Sequence, residues 1–383
     1  EAGRVYLVMA HVGTAFLLAF FAILGREAGS LDFDAFASLG ALAPATASAL
    51  FLLALVGFGA KAGFVPLHVW LPEAHPAAPS HVSAVMSGVM IKTGIYGILR
   101  ALTFLGPPPA WWGVLLVVIG LTSGIVGVLF ALAQHDLKRL LAYHSVENIG
   151  IIALGMGVGV LGLSHGLYPV AVLGFAGATL HVINHACFKG LLFLGAGSVL
   201  QATRERNMDR MGGLMRRMPV TGLTFLVAAA AIAGVPPLNG FVSEFLILSG
   251  SLKGALASAA PAVLIATVVG LGLIGGLAVA CFTKAFGVVF LGSPRSAQAE
   301  HLHSETAGFR APMLTLAAAC VFIGVMPFLA IRMVLPAAAQ LTGGGDVSTV
   351  TDLVSFSSPL GRISLIGLVL VATVALLALL LSR

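Results

Sequence analysis

The chain has 383 residues, 59% of them hydrophobic and 9% charged, with a mean hydropathy of +1.06. That composition excludes a soluble globular protein of this size and predicts a polytopic membrane protein with no room for a soluble domain. The net charge of +6 is then no sign of nucleic-acid binding, because Lys and Arg collect in the cytoplasmic loops of membrane proteins.

In chain order, apolar runs of about 20 residues fall near 5–25, 46–65, 81–104, 110–133, 139–162, 168–200, 219–252, 260–291, 312–334 and 363–382. They predict an all-α fold of about ten transmembrane helices. The first run begins almost at once, after Glu1. Its length and the lack of a small-residue cleavage site speak against a signal peptide, and a chain lacking its N-terminal part is the expected reading. Cys187, Cys281 and Cys320 stand apart in apolar runs with no CxxC pair, which speaks against a disulfide framework or an iron–sulfur site.

The stretch between the second and third runs is unusual. Residues 61–79 read Lys61-Ala-Gly-Phe-Val-Pro-Leu-His-Val-Trp-Leu-Pro-Glu-Ala-His-Pro-Ala-Ala-Pro. Four prolines, Pro66 and Pro72 first among them, must break the helix, since each removes a backbone donor and clashes with the preceding turn. Broken backbone beside a charge is tolerated in lipid only where protein or water encloses it. A second break is expected in the seventh run, at Gly234-Val-Pro-Pro-Leu-Asn-Gly240, on Pro236 and Pro237.

Six ionisable residues lie inside apolar runs: Lys61, Lys92, Glu147, Lys189, Glu244 and Lys284. Each charge at mid-bilayer costs about 2.5–3.5 kcal/mol on insertion scales, so six together call for a function. For Lys284, nearest a helix end, a snorkelling or packing lysine is the competing reading. Burial moves a lysine towards neutrality and a nearby carboxylate restores its charge, so an alternating Lys and Glu row suits a coupled proton relay. His181, His185 and Lys189 are spaced i, i+4, i+8 and share one helical face, covering about 12 Å of depth. Histidine passes a proton through either nitrogen. Two histidines at i, i+4 also suit zinc, but no third ligand stands near. Plain interhelical hydrogen bonding is the other competing reading.

His68, His75, His81 and Glu73 flank the first break and are read as a water entrance or as partners for freed backbone groups. His144 and Glu147 stand near the start of the fifth run. Asp136, Lys138 and Arg139 read as a loop with a structural ion pair, Arg204–Arg217 as a basic loop, and His301-Leu-His303-Ser-Glu305 as a polar loop rather than a metal site. The positive-inside rule places the basic loops, the first residues and the C-terminus in the cytoplasm. Two broken helices, each followed by a helix carrying a lysine (Lys92, Lys284), suggest inverted repeats with a transport site between them.

The four motifs Lys61–His75, Leu137-Lys-Arg-Leu-Leu-Ala-Tyr-His-Ser, His181-Val-Ile-Asn-His-Ala-Cys-Phe-Lys-Gly-Leu-Leu-Phe and Pro236-Pro-Leu-Asn-Gly-Phe-Val-Ser-Glu-Phe resemble the antiporter-like membrane subunits of respiratory complex I. That family is shared with multisubunit cation/proton antiporters and the membrane arms of group 4 hydrogenases. The wording of Pro-Ser-His-Val-Ser-Ala-Val-Met-Ser-Gly-Val-Met-Ile-Lys92 is most similar to the large antiporter-like subunits of hydrogenase-4 and formate hydrogenlyase. The resemblance implies fourteen or more helices in two inverted five-helix repeats. Here 1–104 would be the last three helices of the first repeat, 110–291 the complete second repeat, and 312–383 two peripheral helices. It implies proton-relay roles for Lys61, Lys92, His181, His185, Lys189 and Glu244. The glutamate that partners the lysine at position 61 in the family lies two helices upstream and has no counterpart in this chain.

The function expected on this reading is proton translocation, driven by electron transfer in partner subunits. Those partners are other integral membrane subunits and a peripheral redox arm, either a hydrogenase or a quinone reductase. The chain itself is expected to hold no cofactor, metal or redox centre, and to sit in a bacterial or archaeal inner membrane. The alternatives are a subunit of a sodium/proton antiporter, a passive membrane anchor and a solute symporter.

Overall fold

The computed structural model describes residues 1–40, 42–300, 305, 307–343 and 357–381. Helices α1 (Ala2–Ala28), α2 (Phe33–Ala37) and α3 (Pro44–Ala62) lead to the first break. There α3 ends on Gly63, whose φ of 88° favours glycine. A turn and the short α4 (Leu71–Ala77) follow, then α5 (Ser80–Val85), a π turn over Met86–Met90 and α6 (Ile91–Leu102). Next come α7 (Ala110–Leu132), α8 (Leu137–Ser164) and α9 (Tyr168–Thr203). The second break separates α10 (Pro219–Ile232) from α11 (Asn239–Leu256). The described chain then continues with α12 (Pro261–Phe290), α13 (Ala297–Glu300), α14 (Ala307–Val325), α15 (Pro327–Leu341) and α16 (Ser357–Leu381).

The polytopic all-α expectation holds. Among the described residues, eight helices are long and apolar enough to cross a membrane, Ser80–Leu102 counting as one. Of the ten expected runs, 219–252 is divided by the second break and 363–382 falls on α16, where only Gly361–Leu370 counts as an apolar helix. The run 312–334 is broken as well, between α14 and α15 at Met326. Proline explains several boundaries. It occupies the first turn of α3, α9, α10, α12 and α15, where a missing donor costs nothing. Asp136 opens α8 as an N-cap, its carboxylate accepting from the Arg139 amide at 3.0 Å.

The core is built on α8 and α9. Helix α8 is buried along nearly its whole length, whereas α1 and α12 turn apolar side chains outwards. Helix α7 lies close against α8 because glycines face each other. A Cβ on Gly120 would meet the Gly150 carbonyl at 2.8 Å, and one on Gly150 the Gly124 amide at 2.5 Å. Helix α9, with 36 residues, is about 54 Å long, well beyond the ~30 Å hydrocarbon layer. Helices α14 and α15 run antiparallel along it. Phe309 and Leu316 reach Gly197 and Gly190 near its C-terminal half, and Thr342 meets the Tyr168 hydroxyl at its start, 3.2 Å away.

Both breaks are stitched by distant side chains, as backbone freed within a bilayer must be. At the first, the Val65 amide donates to Ser123 Oγ (3.0 Å) and Trp70 Nε1 donates to the Ala60 carbonyl (2.9 Å). Ser83 Oγ donates to the His75 carbonyl (2.8 Å), and Lys138 Nζ donates to that of Ala78. At the second, Asn184 Nδ2 donates to the Asn239 carbonyl at 2.7 Å.

Candidate functional site

The long helix α9 carries His181, Asn184, His185 and Lys189, all fully buried. Their spacing puts them on one face, and three other elements bring polar groups to that face. From α6, Lys92 donates to the Ser87 carbonyl and sits 2.5 Å from His185 Nδ1. The His185 and His181 rings are nearly parallel, 8° apart in plane, with centroids 6.5 Å apart. From α8, Asn148 Oδ1 lies 3.1 Å from His181 Nε2, and from α11, Ser243 Oγ lies 2.9 Å from His181 Nδ1.

Asn148 fixes a direction. Its Nδ2 donates to the His144 carbonyl at 2.8 Å, so Oδ1 is the acceptor and His181 Nε2 the donor. His181 Nδ1 is then an acceptor, and it and the Gly240 carbonyl (3.0 Å) compete for the one Ser243 hydroxyl proton. One turn along α8, His144 Nδ1 pairs with Glu147 Oε2, both side chains wholly buried. The row Lys92–His185–His181–Asn148–Glu147 thus crosses the core through three helices. In and beside this row, five buried atoms have no hydrogen-bond partner among the described residues: His185 Nε2, Lys189 Nζ, His144 Nε2, Glu147 Oε1 and Asn239 Oδ1. Lys189 lies over the Phe193 ring, Nζ 5.7 Å from its centroid. At its other end, Lys92 lines a cavity of about 200 Å³ together with Tyr96, Arg100, Thr179 and Gln340.

Glu244 is placed by the second break. A Cβ on Gly234 would come within 2.6 Å of its Oε2, so the carboxylate lies against the broken backbone between Pro237 and α10.

The other expected residues fall elsewhere. Lys61 is half-buried and faces a cavity of about 310 Å³ between α1 and α3, shared with Tyr6, Thr14, Trp70 and Thr93. No ion pair of Lys61 and no bond joining it to Lys92 is found among the described residues. His68 is half-buried in the turn after Pro66, with Nδ1 unpartnered. His81 is exposed and away from the row. Lys284 donates to the carbonyls of Leu132 (2.8 Å) and Gln134 (3.0 Å), capping the C-terminus of α7. That is the packing role which competed with a relay role for it. Asp136, Lys138 and Arg139, expected as a loop with its own ion pair, instead open α8; Lys138 is buried, and the ion pairs reach other segments, Arg139 to Glu73 at 2.6 Å and Asp136 to Arg206 at 2.8 Å. Glu305 accepts from the Thr221 amide at 2.6 Å, and His301 and His303 lie outside the described residues. Among the described residues no three His, Cys, Asp or Glu side chains gather as a metal site.

Sequence reasoning missed the connectors Ser87, Asn148, Asn184, Asn239 and Ser243. Neutral polar residues in an apolar run carry no charge signal. The available clue was position: Asn184 lies on the His181–His185 face, and Asn239 and Ser243 directly follow the second break.

Residues 1–270 match the family described as NADH:quinone oxidoreductase/Mrp antiporter, transmembrane. The chain belongs to this family. Among curated relatives it is 49% identical over 334 residues to Hydrogenase-4 component B of Escherichia coli (strain K12), covering 85% of this chain and 49% of that protein. It is 39% identical over 341 residues to Formate hydrogenlyase subunit 3 of the same strain, covering 87% of this chain and 56% of that one. The chain therefore spans about half the length of these relatives. Among solved structures, a chain of respiratory complex I from Thermus thermophilus with bound NADH superposes with a TM-score of 0.76 at 26% identity, over 90% of this chain and 69% of that one. The fold is that of a membrane subunit of the NADH:quinone oxidoreductase/Mrp antiporter family.

Proposed function

We propose that the chain belongs to a proton-translocating membrane subunit of an energy-converting complex of the hydrogenase-4 or formate hydrogenlyase type. Protons move along Lys92, His185, His181, Lys189 and Glu147 towards Glu244, driven by charge changes that accompany electron transfer in partner subunits. The redox centres belong to those partners. The observation that carries this reading is the row itself: ionisable groups linked through neutral polar side chains across the buried centre of a membrane bundle, where each isolated charge would be costly. Lys61 serves the first half-channel in this reading, with 1–104 and 110–291 as partial and complete inverted repeats and 312–383 peripheral. The bundle end bearing Lys138, Arg139, Arg206 and Arg210 faces the cytoplasm of a bacterial or archaeal cell, as does the C-terminus.

The test uses vesicles carrying the assembled complex, a trapped pH dye and the complex's own electron donor. Lys92→Ala and Glu244→Ala each reduce proton translocation by at least about tenfold while electron transfer continues. Unchanged translocation in both variants overturns the relay. A sodium/proton antiporter is the second reading, favoured by the Mrp antiporter half of the family description. Sodium-dependent proton movement with no electron donor present would select it.

A further inference from the structure

The row joins His181 to Glu147 through Asn148, but a hydrogen bond is not by itself a path for protons. Asn148 of α8 is 0% exposed, and both polar atoms of its side chain are engaged. Oδ1 accepts from His181 Nε2 at 3.1 Å. Nδ2 donates to the His144 carbonyl at 2.8 Å and reaches Glu147 Oε2 at 3.4 Å. A carboxamide offers an acceptor oxygen and two N–H donors and has no titratable group. To hand a proton from His181 to Glu147 it would have to become an imidic acid, a form that carboxamides do not populate.

The other side of the His181 ring is built differently. Nδ1 lies 2.9 Å from Ser243 Oγ. That oxygen accepts from Asn184 Nδ2 at 2.9 Å, and its own proton has a second acceptor in the Gly240 carbonyl at 3.0 Å. Turning the hydroxyl therefore satisfies Nδ1 in either protonation state. With a neutral ring the hydroxyl donates to Nδ1. With a charged ring Nδ1–H donates to Oγ and the hydroxyl turns to Gly240. Asn184 keeps its place in both states, because its amide also donates to the Asn239 carbonyl at 2.7 Å.

We propose that Asn148 is an insulating residue of the row. It holds His181 as the Nε2–H tautomer and bars direct proton transfer between His181 and the His144–Glu147 pair. Protons balance at one nitrogen: a proton arrives at Nδ1, the ring becomes a cation, and Nδ1 gives one proton back while the Nε2–H bond stays intact. A proton bound for Glu147 must go round the Asn148 contact. Sites that exchange protons freely hold no charge difference, and a relay driven by charge changes in partner subunits depends on one. The contact keeps the α9 face and the α8 carboxylate separately chargeable.

This inference rests on the relay reading above, and the experiment separates the two. Vesicles carrying the assembled complex receive a pH step with no electron donor present, and its decay is followed with the trapped dye. Asn148→Asp keeps the shape and places a proton-exchanging carboxyl on His181 Nε2. Asn148→Leu keeps the branching and exchanges nothing. The expected result is decay about tenfold faster in Asn148→Asp and the unsubstituted rate in Asn148→Leu. Unchanged decay in Asn148→Asp, with translocation still lost in Lys92→Ala, overturns the insulator and leaves the row standing. Equal acceleration in both Asn148 variants assigns the residue to packing and overturns the proposal. Normal translocation in Lys92→Ala and Glu244→Ala overturns the row and this inference together. A second measurement leaves Asn148 in place: the nitrogen NMR spectrum of the complex with isotope-labelled histidine, the His181 signals being identified by their loss in His181→Gln. The neutral ring is expected to carry its proton on Nε2, and an Nδ1–H tautomer overturns the proposal even where Asn148→Asp fails to assemble.

Discussion

The two helix breaks share a chemistry and differ in what surrounds them. Each pairs proline-disrupted backbone with an ionisable side chain, Lys61 before the first and Glu244 after the second. The second break is enclosed by the packed centre: Asn184 of α9 donates to the Asn239 carbonyl, Gly324 of α14 presses on Pro237, and the Glu244 carboxylate lies against Gly234. The first break lies at the edge. Its backbone is stitched by Ser123 and Trp70, but Lys61 opens onto a cavity beside α1, a helix whose flank is mostly exposed. The break marks where a polar path crosses apolar surface. The helices beyond it decide whether its charge joins the row.

If enclosure is what distinguishes the breaks, glycine substitution separates them most. A Cβ on Gly240 would lie 1.9 Å from the Ala231 carbonyl oxygen, a backbone atom with nowhere to go. Gly240→Ala should therefore cost about 3 kcal/mol or more, read as a large fall in thermal stability in detergent. At the first break, Gly63→Ala meets the movable end of the Leu71 side chain and an unfavourable φ of 88°, and should cost about 1–2 kcal/mol. Equal losses would break the comparison.

The stitching bonds give a smaller contrast. Asn184→Ala strips donors from both the Asn239 carbonyl and Ser243 Oγ in the fully buried centre and should cost about 2–3 kcal/mol. Ser123→Ala removes one acceptor from the partly buried Val65 amide and should cost about 1 kcal/mol. The measurement is the same denaturation series. A first-break loss as large as the second would show that edge and centre are equally desolvated.

The smallest effect concerns Lys284. As a cap on the carbonyls of Leu132 and Gln134, its replacement in Lys284→Met should lower stability by about 0.5–1 kcal/mol and leave proton translocation in the assembled complex unchanged. A tenfold loss of translocation would return Lys284 to the row.

Much of this protein is legible in its sequence. The apolar runs specify helices, because twenty consecutive apolar residues have no other way to satisfy their backbone in lipid. The prolines locate both breaks within a few residues, and i, i+4, i+8 spacing places His181, His185 and Lys189 on one face. These are local properties, set by period and by backbone chemistry. Contact is not local. That Lys92 meets His185, that Asn148 orients His181, that Lys284 caps α7 and that His75 stacks on Phe193 depend on helices far apart in the chain packing side by side. Only the tertiary structure decides those, because burial of a helical face is conferred by its neighbour and leaves no periodic trace in its own residues.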